Sequence, residues 1–342
     1  MQIIKPDVNI NFVGHRKVAY VFSIALILAS IVSLIMHGGP KYGIDFAGGA
    51  EVLAEFSAPV AIEKVKSALA GMGMQGSVQQ YGEDDANLYR ILIGADQADN
   101  TELDKVIQKG LQDATQTIVT LESFEMVGPQ IGEDLREQAL LAIFFSLLFI
   151  TVYISGRFEL KWLISAAMAS ILALIVYTLH VVHVSVPILM VVALAVSIAL
   201  FYFLNLKYGM GAILALVHDV TITVGVFSLF GKEFTLPIIA AILTIIGYSL
   251  NDTIIVFDRI RENLRKHHKR PLNEIVNKSI NETLSRTLVT SGTTLVVVAA
   301  LFIYGGGIIH DFAFALLIGI GVGTYSSIYI ASPVLLAWQR KK

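Results

Sequence analysis

Two carboxylates and one guanidinium stand where apolar side chains are the rule. Asp219, in "LVHDVTITVG", and Asp252, in "GYSLNDTIIVFDRIREN", each interrupt an apolar run of membrane length. An ionised side chain at the middle of such a run costs about 2.5–3.5 kcal/mol or more, so acids there mark ion or proton paths by default. Asp252 lies about five residues from the charged end of its run, about 7–8 Å deep at the helical rise. Arg286, in "INETLSRTLVTSGTTL", precedes the next apolar run at a similar depth from the same face. Low dielectric favours the neutral acid, whereas a nearby guanidinium favours the anion. Arginine stays charged throughout. If their helices are neighbours, Asp252 and Arg286 form an element that gains or loses a proton, releasing or holding the arginine as it does so. The plain alternatives are a helix–helix ion pair and an Arg286 that snorkels to the surface.

Two further residues, His218 and Asn251, belong with this chemistry. His218, next to Asp219, reads as its hydrogen-bonded neighbour, with a proton shuttle as the alternative. Asp219 has Thr221 and Thr223, or another helix, as expected partners. Asn251 is expected to supply a hydrogen bond between helices. Asp219, His218 and Asn251 are thus candidates for a proton path leading to Asp252.

The elements that must position these residues are membrane spans. Of 342 residues 55% are hydrophobic and 15% charged, with a mean hydropathy of +0.69; soluble domains carry about 25% charged residues. Apolar runs of about 20 residues give about eight spans, at Val18–Met36, Gln138–Ile154, Trp162–Val182, Val186–Leu204, Tyr208–Phe230, Pro237–Phe257, Leu288–Tyr304 and Phe312–Trp338. The first follows "GHRK" without a cleavage site and reads as an uncleaved anchor. Arg157 with Lys161, Lys207, the run Arg259–Arg286 and Arg340–Lys342 share one side with the N-terminus, against Lys232 in the short loops of the other. That bias places both termini in the cytoplasm and residues 38–137 outside. The net charge of −2 averages over two compartments, nothing points to nucleic acid, and the absence of cysteine excludes disulfides and thiolate sites.

Residues 41–137 alternate in period. "EVLAEFSA", "SVQQYG", "LYRILIG" and "TIVTLESFEMVG" read as strands, and "AIEKVKSALAGMG" and "TELDKVIQKGLQDA" as helices, with "EDDAN" as a turn. The order βαββαβ is that of the ferredoxin-like fold, which by itself assigns no function. The glycine-rich "YGIDFAGGAEV" is followed by a strand and has no Lys-Ser/Thr, so it is not a phosphate cradle. No cofactor is expected. His180 and His183 read as loop residues. "RIRENLRKHHKR" is an anchor and a contact for anionic lipid. "PLNEIVNKSINETL" reads as an amphipathic helix on the cytoplasmic surface. Gly319, Gly321 and Gly323 with Ser326 and Ser327 give the last span a small face.

The motifs "YGIDFAGG", "VGPQIGEDL", "GRFE", "ALVHDVTITVGVFSLFGKEFTL", "GYSLNDTIIVFDRIREN", "SRTLVTSGTTL" and "GIGVGTYSSIYIASPVLL", in this order, resemble the SecD/SecF family of the resistance-nodulation-division superfamily. The resemblance implies a non-enzymatic protein-export subunit of the bacterial inner membrane. Such a subunit pairs with a SecD-like partner, associates with the Sec channel and uses the proton motive force to move preproteins. The family's membrane carboxylate falls on Asp252, its essential arginine on Arg286 and its His-Asp pair on His218–Asp219. The chain departs from the family at 162–206, where roughly 45 residues reading as two helices separate "GRFE" from the span carrying His218. The expected organisation is a first span at 1–37, the outer domain at 38–137, and a span with the "RFE" loop at 138–161. The inserted hairpin (162–206) is followed by the spans with His-Asp and Asn-Asp (207–258), a basic loop and amphipathic helix (259–286) and two last spans (287–342). A small-molecule or lipid exporter of the same superfamily and a passive assembly subunit are the competing readings.

Overall fold

The computed structural model describes residues 8–81, 87–97, 102–182, 184–267 and 269–339. His183 and most of the "EDDAN" turn lie outside them.

The polar segment after the first helix folds as its two periodicities require. Strands β1 (Gly49–Phe56), β2 (Gly76–Gln80), β3 (Leu88–Ile93) and β4 (Val119–Val127) form one antiparallel sheet in the order β2-β3-β1-β4. Before β1 comes a short helix, α2 (Ile44–Ala47); α3 (Ile62–Gly71) and α4 (Leu103–Thr115) cross between strands. Alternate β1 residues Ala50, Val52, Ala54 and Phe56 are buried with Val65, Leu69, Ile107 and Leu111 of the two helices. This is the ferredoxin-like arrangement expected from the order of elements. The double glycine is a backbone requirement: Gly49 has φ +127, and a Cβ there would stand 2.3 Å from the Ile93 carbonyl oxygen.

A helix stands at each of the eight places where an apolar run was expected. The first is α1 (Phe12–Met36), opened by Asn11, whose Oδ1 accepts from the Gly14 N–H at 2.8 Å. There follow α5 (Pro129–Glu159), α6 (Trp162–Val181), α7 (Val186–Phe203), α8 (Lys207–Leu229), α9 (Leu236–Lys266) and α10 (Leu272–Tyr304). The last span is composite: α11 (Gly307–Ser326), a π-helical turn (Ser327–Ala331) and α12 (Ser332–Gln339). Among the described residues seven spans are long and apolar enough to cross a membrane. The eighth helix, α7, is apolar but has 18 residues. His180 falls in the last turn of α6 rather than in a loop.

The segment 259–286 differs from expectation. Arg259–Lys266 continues α9 instead of forming a loop, and "PLNEIVNKSINETL" is the first half of a continuous 33-residue α10 instead of a separate surface helix. Nothing between Leu284 and Leu288 breaks a helix. Val276, Ile280 and Leu284 bury their face in one cluster with Ile260 of α9 and Phe12 and Val13 of α1, and Ile275 is buried as well, so protein covers the stripe that the sequence assigned to lipid. Asn263 ties the two extensions together, donating to Ser279 Oγ at 3.0 Å and Glu282 Oε2 at 2.7 Å.

The βαββαβ domain is fastened to the membrane helices through the α8–α9 loop. Gly43 N–H donates to the Phe234 carbonyl (2.8 Å), and Phe234 N–H to that of Lys41 (2.7 Å). Asp45 Oδ2 accepts the free Leu236 N–H at the start of α9 (2.8 Å). Buried Glu233 takes Lys41 at 3.0 Å and Arg90 of β3 at 3.1 Å, while Arg90 also grips Glu51 through two bonds of 2.6 and 2.7 Å. The Glu51 hydrogen bond raises the Arg90 guanidinium above its ordinary value. A raised cation contributes its stability below its ordinary pKa and loses it only as pH climbs through the raised value. The fastening therefore keeps its positive side at every physiological pH. Glu233→Ala is expected to leave both parts folded but to speed amide exchange at residues 41–47 and 233–236 about tenfold, as loss of a charge-assisted bond implies. Unchanged exchange there rules out this fastening.

Candidate functional site

Asp219 sits on α8 at the centre of the bundle, with no exposed surface. Its Oδ1 meets His218 Nδ1 at 2.8 Å, and its Oδ2 accepts Ser249 Oγ of α9 (2.5 Å) and Ser326 Oγ of the last span (2.8 Å). Close approach makes this possible. A Cβ on Gly323 would lie 2.8 Å from Ser249 Cβ, and one on Gly319 2.3 Å from Ile245 Cδ1. Gly321, the third glycine of the expected small face, points into open space. The π-turn begins at Ser327, whose hydroxyl lies 2.9 Å from that of Thr253; π-bulges of this kind cluster at functional sites. His218 Nε2 is 3.1 Å from Ser23 Oγ of α1, which is 3.1 Å from the Tyr325 hydroxyl. The expected threonine partners are not used: Thr223 donates to the Asp219 backbone carbonyl, and Thr221 makes no hydrogen bond. The serines that replace them come from other helices, and their sequence signal, a lone hydroxyl in each apolar run, is shared by many residues here.

Asp252 is also buried, 1% exposed, but held far more loosely. Its Oδ2 accepts Ser291 Oγ of α10 at 3.2 Å, and Ser291 in turn lies 2.8 Å from Thr324 of α11. Among the described residues its Oδ1 has no partner, and neither does the buried Thr287 hydroxyl. Arg286 is close in sequence to both hydroxyls yet does not pair with Asp252; it is exposed and acts on the carboxylate only through space. The helices are neighbours, as the pairing required, but Arg286 emerges on the side of α10 that faces a cavity of about 500 Å³. Arg157, Asn251, Asp258, Glu282 and Thr283 also line it. Asn251 is exposed there and makes no hydrogen bond, so it does not tie helices together within this chain. The four membrane residues therefore divide into a fully bonded pair, His218–Asp219, and a separated one, Asp252–Arg286.

The family model described as protein export membrane protein SecD/SecF, C-terminal, matches residues 106–194 and 181–341, and the SecD/SecF GG motif matches residues 33–60, which include Gly48 and Gly49. Protein translocase subunit SecF of Desulfurispirillum indicum is 42% identical over 335 residues, covering 96% of this chain and 92% of that protein. Its counterpart in Vibrio alginolyticus is 41% identical, covering 98% and 91%. The crystal structure of SecDF, a translocon-associated membrane protein from Thermus thermophilus, superposes with a TM-score of 0.77 at 32% identity over 99% of this chain. This chain spans 40% of that one. A second SecDF structure, in a super-membrane-facing form, gives 0.62. With the double glycine at the head of β1, the sequence likeness along almost the whole length and the shared helix arrangement, the chain belongs to the SecD/SecF family of protein-export membrane proteins.

Proposed function

We propose that the chain is an accessory subunit of protein export in the bacterial inner membrane and that it couples the proton motive force to preprotein movement. The observation that carries this is Asp252. A carboxylate in the membrane, with one oxygen unpartnered and an arginine nearby but not bound, changes protonation at lower cost than a saturated ion pair does. The cavity beside it opens toward the basic ends of α9 and α10, which the positive-inside rule assigns to the cytoplasm. Both termini share that side, and the βαββαβ domain stands outside. Asp252 is then the proton-coupling residue, Arg286 the charge that responds to it, and His218–Asp219 a second station; Asn251 lines the route.

The partner is a SecD-like subunit, supported by the 60% of the SecDF chain that this protein does not span, and the assembly acts with the Sec channel. The hairpin of α6 and α7 is an insertion on that frame; the two stretches matched by the family model overlap at 181–194, inside it. Lys161 pins its inner end by donating to the Leu204 carbonyl at 2.8 Å. Anionic lipid contacts the basic ends of α9 and α10.

The test is preprotein completion in membrane vesicles after ATP removal, with and without a proton gradient. Asp252→Asn and Arg286→Ala are each expected to lose the response to the gradient, by a factor of about a hundred or down to background, as removal of an essential proton carrier implies. A normal response in Asp252→Asn would place the coupling elsewhere.

A further inference from the structure

The hydroxyl of Ser23 sits between two groups that both need its single proton. The Tyr325 hydroxyl donates to the Ala19 carbonyl at 2.7 Å, so its oxygen is left to accept. Its contact with Ser23 Oγ (3.1 Å) then requires Ser23 to donate. With that proton spent, Ser23 meets His218 Nε2 (3.1 Å) as an acceptor, and Nε2 must carry hydrogen. The 2.8 Å contact between His218 Nδ1 and Asp219 Oδ1 holds one more proton, on either atom. The observed set of bonds thus belongs to a pair that carries two protons and no net charge, whether written as imidazolium with carboxylate or imidazole with carboxylic acid.

Remove one proton from that pair and the bonds cannot all survive. The remaining proton stays between Nδ1 and Oδ1, because the carboxylate has no other donor on that oxygen. Nε2 becomes a bare acceptor beside a buried hydroxyl, and an unsatisfied acceptor in the membrane is costly. Ser23 turns its proton from Tyr325 to His218. One of the two bonds from α1 to the last span is lost, and the Tyr325–Ala19 bond alone holds them. Restoring the proton reverses the turn. No group other than the departing proton changes its count.

We propose that Ser23 and Tyr325 are the positioning residues that convert proton loss at His218–Asp219 into a loosened contact between α1 and the last span. This rests on the proton-coupled function proposed above. Around the pair, α1 presents Ser23, α9 presents Ser249 and the last span presents Tyr325 and Ser326; the other membrane carboxylate on those helices is Asp252, three residues beyond Ser249. Two features suit the last span to this task. It carries the π-turn immediately after Ser326. The Ser326 hydroxyl also has a second acceptor, the Gly323 carbonyl at 3.1 Å, so that it can give up its bond to Asp219 without being stranded.

The chain has no cysteine, which makes spin labelling direct. Val18 is 71% exposed on α1, and a side chain at Gly321 meets open space. Labels at these two positions, in the full chain assembled with its SecD-like partner in lipid nanodiscs, report the distance between α1 and the last span as pH is raised. The wild type is expected to show a pH-dependent lengthening that Asp252→Asn keeps. Ser23→Ala and Tyr325→Phe abolish the lengthening, and Ser23→Thr restores it. Gradient-driven completion in vesicles falls at least about fivefold in Ser23→Ala, the low end of ordinary coupling between sites. A wild-type distance that ignores pH, or an unchanged pH response in Ser23→Ala, overturns this inference. If Asp252→Asn loses the gradient response while Ser23→Ala behaves as wild type, the coupling function stands and the Ser23 switch falls. If Asp252→Asn keeps the gradient response, the coupling function itself fails.

Discussion

Asp219→Ala is expected to destabilise the membrane bundle by about 3–5 kcal/mol, the range for removing one member of a buried charged group and leaving its partners unpaired. The side chain lost is the common acceptor for three helices. Ser249 from α9 and Ser326 from the last span both donate to Oδ2, and His218 meets Oδ1. Ser326 retains the Gly323 carbonyl. Ser249 Oγ and His218 Nδ1 have no such reserve among the described residues, and an imidazole left in the bundle centre with only its Ser23 contact at Nε2 is the larger of the two costs. Asp252→Ala is expected to cost no more than about 1 kcal/mol, because it removes a single 3.2 Å bond from Ser291, which Thr324 already contacts. Reversible unfolding in mixed micelles measures the difference. Equal costs at the two sites would falsify the division of labour drawn here, in which Asp219 is a packing centre and the proposed second proton station while Asp252 is kept loosely held. The contrast also argues against a passive assembly subunit: a residue whose purpose is to hold helices together is not left with an unpartnered oxygen.

The two acids could be read from the sequence because burial of charge is a strong signal by itself: an aspartate in an apolar run needs no partner to be noticed. Their partners could not. Ser249, Ser326 and Ser291 are hydroxyls among many, and which of them faces a carboxylate depends on how α8, α9, α10 and the last span pack, which no local pattern encodes. The same limit explains the Asp252–Arg286 pair. A similar depth was legible and adjacency of the helices was only a condition, which the fold meets, but the side of α10 from which Arg286 projects was not legible, and it points to the cavity with Asn251. In the βαββαβ domain the strands followed from alternation and the helices from their stripes, because each periodicity is set by one face on one core. Its fastening through Arg90, Glu51 and Glu233 spans residues far apart in sequence and left no trace there. Residues 272–286 show the reverse failure. Their apolar stripe was real, but a stripe tells only that something apolar covers it. Here that is α9 and the first turn of α1 rather than lipid.

Gly225→Val is expected to separate α1 from α8 and to cost about 3 kcal/mol or more, the upper range for forcing volume into a packed contact. A Cβ at Gly225 would lie 2.0 Å from Ser30 Cβ and 2.5 Å from Ser30 Cα, so backbone as well as side chain is in the way. Rotamer changes cannot relieve a clash with a Cα. Beyond its first turn, where Phe12 and Val13 are buried, α1 offers little else to hold it, since Val18, Val21, Phe22, Ile24, Leu28, Val32 and Ile35 are all exposed to the surroundings of the bundle. What faces α8 and the last span is a narrow line of small residues, Ala19, Ser23, Ser30 and Ser33. Ser33 and Ser228 exchange a hydrogen bond at 2.8 Å, and Ser23 reaches His218. Small residues are the usual means of bringing membrane helices close, because lipid supplies no hydrophobic drive between them. In the cysteine-free chain the pair Ser33→Cys and Ser228→Cys stands at disulfide range and is expected to cross-link readily. Adding Gly225→Val should reduce that cross-link to a small fraction, whereas adding Gly321→Val, which meets open space, should leave it unchanged. Efficient cross-linking in the presence of Gly225→Val would mean that α1 is held by contacts other than this line. The bond from Ser23 to His218 would then not depend on the close approach of α1 to α8.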